Sequence, residues 1–102
     1  MTKIEPLIHA EDYLAFQAMM PKESAFKDAP TGLYLDFATF TTRETIRIQS
    51  GTKANTTIVM VSVEPGKFEQ YCENYDKDRN WQSLANFADA KFDMSLELID
   101  GE

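Results

Sequence analysis

LYLDFATFTTRETIRIQ, residues 33–49, is the stretch whose reading decides the fold. Taken with a period of two, Leu33, Leu35 and Phe37 share one side of residues 33–40 while Tyr34, Asp36 and Ala38 share the other, the alternation of a half-buried strand. Residues 43–49 repeat the device, with Ile46 and Ile48 inward, Arg43, Thr45 and Arg47 outward, and the polar residues 50–55 as the loop that follows. On this reading the middle of the chain forms two strands of an antiparallel sheet.

The flanking sequence extends that expectation. Residues 57–63 are β-branched at five of seven positions and carry no charge, which suits a central strand. Residues 92–98 alternate Phe92, Met94, Leu96 and Leu98 with Asp93, Ser95 and Glu97, so a last strand with one core face and one wet face is expected. Residues 2–8 suit a further short strand, confined to an edge because Pro6 lacks an amide hydrogen. Helical spacing occurs three times: His9, Tyr13, Phe16 and Met20, ended by Pro21; Phe68, Tyr71, Cys72 and Tyr75; and Trp81, Leu84, Ala85 and Ala88, with Asp78 or Asn80 as N-cap. The expected fold is one α+β domain over residues 1–102, an antiparallel sheet of about four or five strands with helices on one face. With residues 2–8 as a strand, the order approaches a ferredoxin-like sandwich with an extra hairpin.

Charge narrows the function classes. The chain carries 17 Asp and Glu against 10 Lys and Arg, a net charge of −7, so phosphate-directed binding to nucleic acid or to anionic lipid is disfavoured and a basic partner is favoured. Residues 64–102 hold ten of the acids, whereas residues 41–63 hold three bases and one acid. Cys72 is the single cysteine, which excludes an intramolecular disulfide and a multi-cysteine metal site and favours a reducing compartment. With no basic start followed by an apolar stretch at the N-terminus, a soluble cytoplasmic protein is expected.

The reagents of catalysis are scarce. His9 is the only histidine and stands in no motif; its ordinary reading is a boundary residue on the first helix beside Tyr13. Cys72, on an apolar helix face, reads as a small core residue rather than a thiolate. Asp76-Lys77-Asp78-Arg79-Asn80 matches the opening of a calcium-binding loop, but the positions that need Gly and a bidentate Glu are Trp81 and Phe87, so a solvated break between helices is expected and no metal or cofactor. The bases Arg43, Arg47 and Lys53, interleaved with threonines, are expected to protect an exposed sheet from edge pairing.

Val63-Glu64-Pro65-Gly66-Lys67-Phe68 resembles the strand-to-helix turn of the antibiotic-biosynthesis monooxygenase family, over this stretch alone and without a second copy of the pattern. The resemblance implies an enzyme alternative: a small pocket between sheet and helices, using tyrosines and the lone His on an aromatic substrate.

The leading expectation rests on the acids. Glu69, Glu73 and Asp76 fall at i, i+4 and i+7 on one helix flank, and side chains four apart lie roughly 5–6 Å from each other at Cβ, of the order of successive phosphates on a nucleic-acid strand. Asp78, Asp93 and Glu97 extend this partner-binding set, with solubility as the competing role for every member. A small, acidic, motif-free chain resembles in size and charge the phage-encoded anti-defence proteins, including the anti-CRISPR kind, and toxin-immunity proteins. The resemblance implies an inhibitor that mimics nucleic acid toward a nuclease or other nucleic-acid-binding effector. A structural subunit dimerising through its sheet is the third alternative, and a monomer or weak dimer is expected.

Overall fold

In the computed structural model, which describes residues 1–100 with side chains through residue 94, the order is β1 (Thr2–Ile8), α1 (Tyr13–Met19), α2 (Phe37–Ser50), β2 (Thr57–Val63), α3 (Pro65–Asn74) and α4 (Trp81–Asp100). Short 3-10 turns stand at Ala10–Asp12 and Ser24–Phe26. The class is mixed α+β, but the described residues hold one sheet of two parallel strands, with Thr2 opposite Thr57 and Ile8 opposite Val63. The expected antiparallel sheet of four to five strands, and with it the ferredoxin-like order, is therefore not formed.

Three expected strand segments account for the difference. Asp36 is an N-cap: its Oδ1 accepts the Thr39 amide at 2.7 Å and starts α2, so residues 33–40 divide into a loop and a helix. The loop keeps a single antiparallel bridge, Lys27 to Tyr34, closed by a turn in which Gly32 adopts a φ of 72°. From Phe37 onward the deciding period is helical: Phe37, Phe40, Glu44 and Ile48 share a side, and the helix absorbs its threonines because Thr42 and Thr45 donate to the carbonyls four residues back. Ile46, expected inside, is consequently 57% exposed. Residues 92–98 continue α4, since residues 89–91 contain no Gly or Pro to stop a helix that began at Trp81; Met94, also expected inside, is 63% exposed.

The elements that were expected and do form have local causes. Pro21 follows α1, and Pro65 occupies the first turn of α3, where a missing amide hydrogen costs nothing. Asn80 Oδ1 accepts the Ser83 amide at 2.9 Å and Glu23 Oε2 accepts that of Trp81 at 2.8 Å, so two side chains satisfy the start of α4. Pro6 is accommodated within β1 because, among the described residues, the strand has a neighbour on one side only.

Strand alternation divides the sheet. Ile4, Ile8, Val61 and Val63 enter the core with Phe16 of α1, Phe68 and Cys72 of α3, and Leu84 and Ala88 of α4. Tyr13, Phe26, Phe37 and Phe40 extend it as an aromatic cluster, ring centroids 4.9–5.8 Å from Tyr13, and the Tyr13 hydroxyl donates to the Leu35 carbonyl at 2.8 Å. Fully burying one such side chain stabilises by about 1.5–3 kcal/mol. Leu7, Ile58 and Met60, with Phe40 and Ile48 of α2, line an open groove of 380 Å³ instead.

Arg47 holds α2 in place. Its Nη2 reaches Glu44 Oε1 at 2.8 Å and Glu5 Oε1 at 3.1 Å, and its guanidinium lies 5.9 Å from the centroid of Trp81. The hydrogen bonds to Glu44 and, against partial burial, to Glu5 push the guanidinium pKa further up. Glu5 is the costly partner, its side chain 7% exposed on β1. Arg47→Met is expected to lower stability by about 2–3 kcal/mol in urea titrations by stranding the Glu5 carboxylate, and adding Glu5→Met should restore most of that loss.

Candidate functional site

Of the expected acid row, Glu69 and Glu73 lie on α3, whereas Asp76 falls beyond its end at Asn74 and leaves the helix flank, and the two that remain are not bare. Arg79, from the break before α4, places Nη2 3.1 Å from Glu69 Oε1 and 3.7 Å from Glu73 Oε1. One guanidinium thus offsets much of the field of two carboxylates. Arg79 is ten residues from Glu69 and is brought back by the turn after α3, so helix-face spacing could not reveal it.

Asp76 has a backbone duty as well. It follows the last turn of α3 with a φ of 53°, the left-handed position usually held by Gly or Asn, and the Lys77 amide closes the turn on the Cys72 carbonyl at 2.8 Å. Asp78 is exposed in the same break, its carbonyl accepting from the Cys72 thiol at 3.9 Å. Residues 76–80 are the solvated break between helices, and no group of three metal-ligating side chains occurs among the described residues.

Asp93 and Glu97 belong to a helix, not to the expected strand. Asp93 is exposed on α4; Glu97 lies in the last turns of that helix, its side chain outside the described residues. Asp93 has Asp89 one turn earlier as its neighbour. Asp89 is exposed as well, yet partial desolvation of its carboxyl first, then the charges of Asp93 and Glu5, raise its pKa above the ordinary value. Asp89 also acts on Tyr71, whose hydroxyl is raised mainly by its own burial, which places Asp89 where α3 meets α4. None of the ion pairs among the described residues involves Asp89 or Asp93.

His9 lies outside the expected helix face. It is exposed at the end of β1, ahead of the 3-10 turn, with Nε2 2.8 Å from the hydroxyl of Ser62 near the end of β2. Parallel pairing carries the two strand ends to one side of the sheet, which no local spacing announces. Cys72 is buried and its burial pushes the thiol pKa up, away from thiolate chemistry. Arg43 and Arg47 stand on α2 and guard no sheet edge. The group on that edge is Lys91, whose Nζ donates to the Ser62 carbonyl at 2.6 Å.

The Val63–Phe68 turn does run from strand into helix. The broad antiparallel sheet of the expected ferredoxin-like order is not formed around it, and the sheet holds two parallel strands among the described residues. No family model, curated protein or solved structure matches the chain. No helix among the described residues is long and apolar enough to cross a membrane.

The raised pKa of Asp89 sets a direction for stability. Because the folded value lies above the unfolded one, ionised Asp89 opposes folding at neutral pH, and the cost fades as the pH falls through the raised value. Asp89→Asn should therefore stabilise the protein at pH 7 by about 0.2–0.5 kcal/mol, the scale of one like-charge pair a helical turn apart. In urea titrations that gain should shrink toward zero by about pH 4, where a carboxylate is close to half protonated.

Proposed function

We propose that the chain is a non-enzymatic interaction protein that binds and blocks a partner with a basic working surface, such as a nuclease or another nucleic-acid-binding effector. It would act in the manner of a phage-encoded anti-defence protein of the anti-CRISPR kind, or of a toxin-immunity protein. The observation that carries this reading is the Asp89–Asp93 pair: two carboxylates one helical turn apart, outside every ion pair among the described residues, the first raised in pKa by partial desolvation and then by the charges of Asp93 and Glu5. An arrangement that costs stability when alone is relieved by a cation, and a basic surface supplies one. Glu69, Glu73, Asp76 and Asp78 continue the acidic surface on α3 and its following turn, with Arg79 moderating the first two. Electrostatic steering by a chain of net charge −7 would speed the encounter.

The His9–Ser62 pair supports a second reading. A hydroxyl 2.8 Å from an imidazole nitrogen is the first requirement of nucleophilic catalysis. Among the described residues no side chain is hydrogen-bonded to the other ring nitrogen, which favours the first reading.

The immobilised protein should retain a basic partner from host extract at physiological salt and release it at high salt. Asp89→Lys with Asp93→Lys should lose that partner while remaining folded, and Ser62→Ala and His9→Gln should keep it. Retention of the same partner by the folded charge-reversed variant would reject the acidic face. Hydrolysis of an activated aryl ester that disappears in both Ser62→Ala and His9→Gln would establish the second reading instead.

A further inference from the structure

We propose that β2 is the interface of a symmetric homodimer, two copies pairing antiparallel along their open β2 edges with Met60 opposite Met60. The sheet would then run continuously through both copies. This surface is separate from the acidic face, and neither reading depends on the other.

The backbone of β2 is half used. The Thr57 amide donates to the Met1 carbonyl at 2.8 Å, so strand alternation turns the amides and carbonyls of Thr57, Val59, Val61 and Val63 toward β1 and those of Ile58, Met60 and Ser62 away from it. β1 is the only neighbour of β2 among the described residues. Of the outward groups, only the Ser62 carbonyl has a partner there, the Lys91 ammonium. The strand has no charge and no proline along its seven residues, the two features that commonly keep an open edge from pairing. Among the described residues Lys91 is its single guard.

The adjoining sheet face is incomplete in the same place. Parallel strands are ordinarily covered on both faces, yet Leu7, Ile58 and Met60 border an open apolar groove and Met60 is 43% exposed. A second copy suits this edge on charge. β2 is uncharged and is bordered by Lys53 before it, Glu64 after it and Lys91 on its edge, so two molecules of net charge −7 repel least here. Antiparallel pairing about Met60 sets Ile58 opposite Ser62 of the second copy. It also sets Glu64 opposite the Lys53–Thr56 turn, which the Thr56 amide closes on the Lys53 carbonyl at 3.0 Å. Glu64, whose exposed ion pair with Lys67 spans 3.7 Å, thus faces Thr56 and the turn that carries Lys53 at both ends of the two-fold interface. An axis normal to the sheet also keeps both α4 helices on one side of it. Full pairing requires Lys91 to release the Ser62 carbonyl, so Lys91 opposes the dimer.

Sedimentation equilibrium of the whole chain, from about 10 μM to about 1 mM, decides the matter, a range that spans weak dimer affinities. The mass should rise toward that of a dimer. Lys91→Gln should lower the dissociation constant by about ten-fold, the scale of one freed backbone acceptor. Met60→Lys, which sets like charges against each other across the axis, should keep the chain monomeric with an unchanged circular dichroism spectrum. The proposal is overturned if wild type and Lys91→Gln both remain monomers, or if a dimer forms that neither substitution alters. Should Met60→Lys not fold, the direction of the Lys91→Gln shift decides alone.

Discussion

Two strands that run the same way cannot be joined by a hairpin, and the pairing of Thr2 with Thr57 imposes the rest of the architecture. Residues 9–56 must cross over the sheet to bring the chain back, and they do so with α1 and α2. Once β2 lies beside β1, Val61 and Val63 complete an apolar surface with Ile4 and Ile8, which Phe16, Phe68, Leu84 and Ala88 bury. The opposite surface receives only part of α2, held by Arg47 on Glu5, and remains a groove. Core, groove and open edge are thus three consequences of one register.

The acids divide by whether the fold has neutralised them. Glu5 and Glu44 share Arg47, Glu69 and Glu73 share Arg79, Glu23 caps α4 and Asp36 caps α2. Each of these carboxylates has a structural reason to be charged. Asp89 and Asp93 have none among the described residues, and for Asp89 the protein is worse off for the charge. Net charge alone could not make this distinction, because it requires knowing which acid each of the few bases has reached.

What was legible in the sequence followed from local physics. Residues 57–63 are a strand, although at an edge rather than at the centre of a sheet, Pro21 and the 64–66 turn fall where elements change, and Asn80 caps the last helix, all from propensity, missing amide hydrogens and cap chemistry. The misreadings share one cause: a short apolar alternation fits a strand and also one side of a helix, and a threonine-rich segment tilts the reading toward the strand. For residues 37–49 the arbiter was Asp36 with the Thr39 amide; for residues 92–98 it was the absence of any stop after Ala88. The site was less legible because Arg79 with Glu69, His9 with Ser62, and Lys91 with the Ser62 carbonyl are joined by turns and strand pairing rather than by spacing.

The parallel register with an outward-facing Ile58 and Met60 is the claim on which the groove, the edge and the placement of His9 beside Ser62 all rest. Amide hydrogen exchange, read residue by residue in dilute solution, addresses it most directly. The account predicts slow exchange at Val59, Val61 and Val63, whose amides face β1, and fast exchange at Ile58 and Met60, whose amides face away. Uniform protection of all five amides at concentrations where the chain is monomeric would contradict it, because β2 would then have a strand on each side.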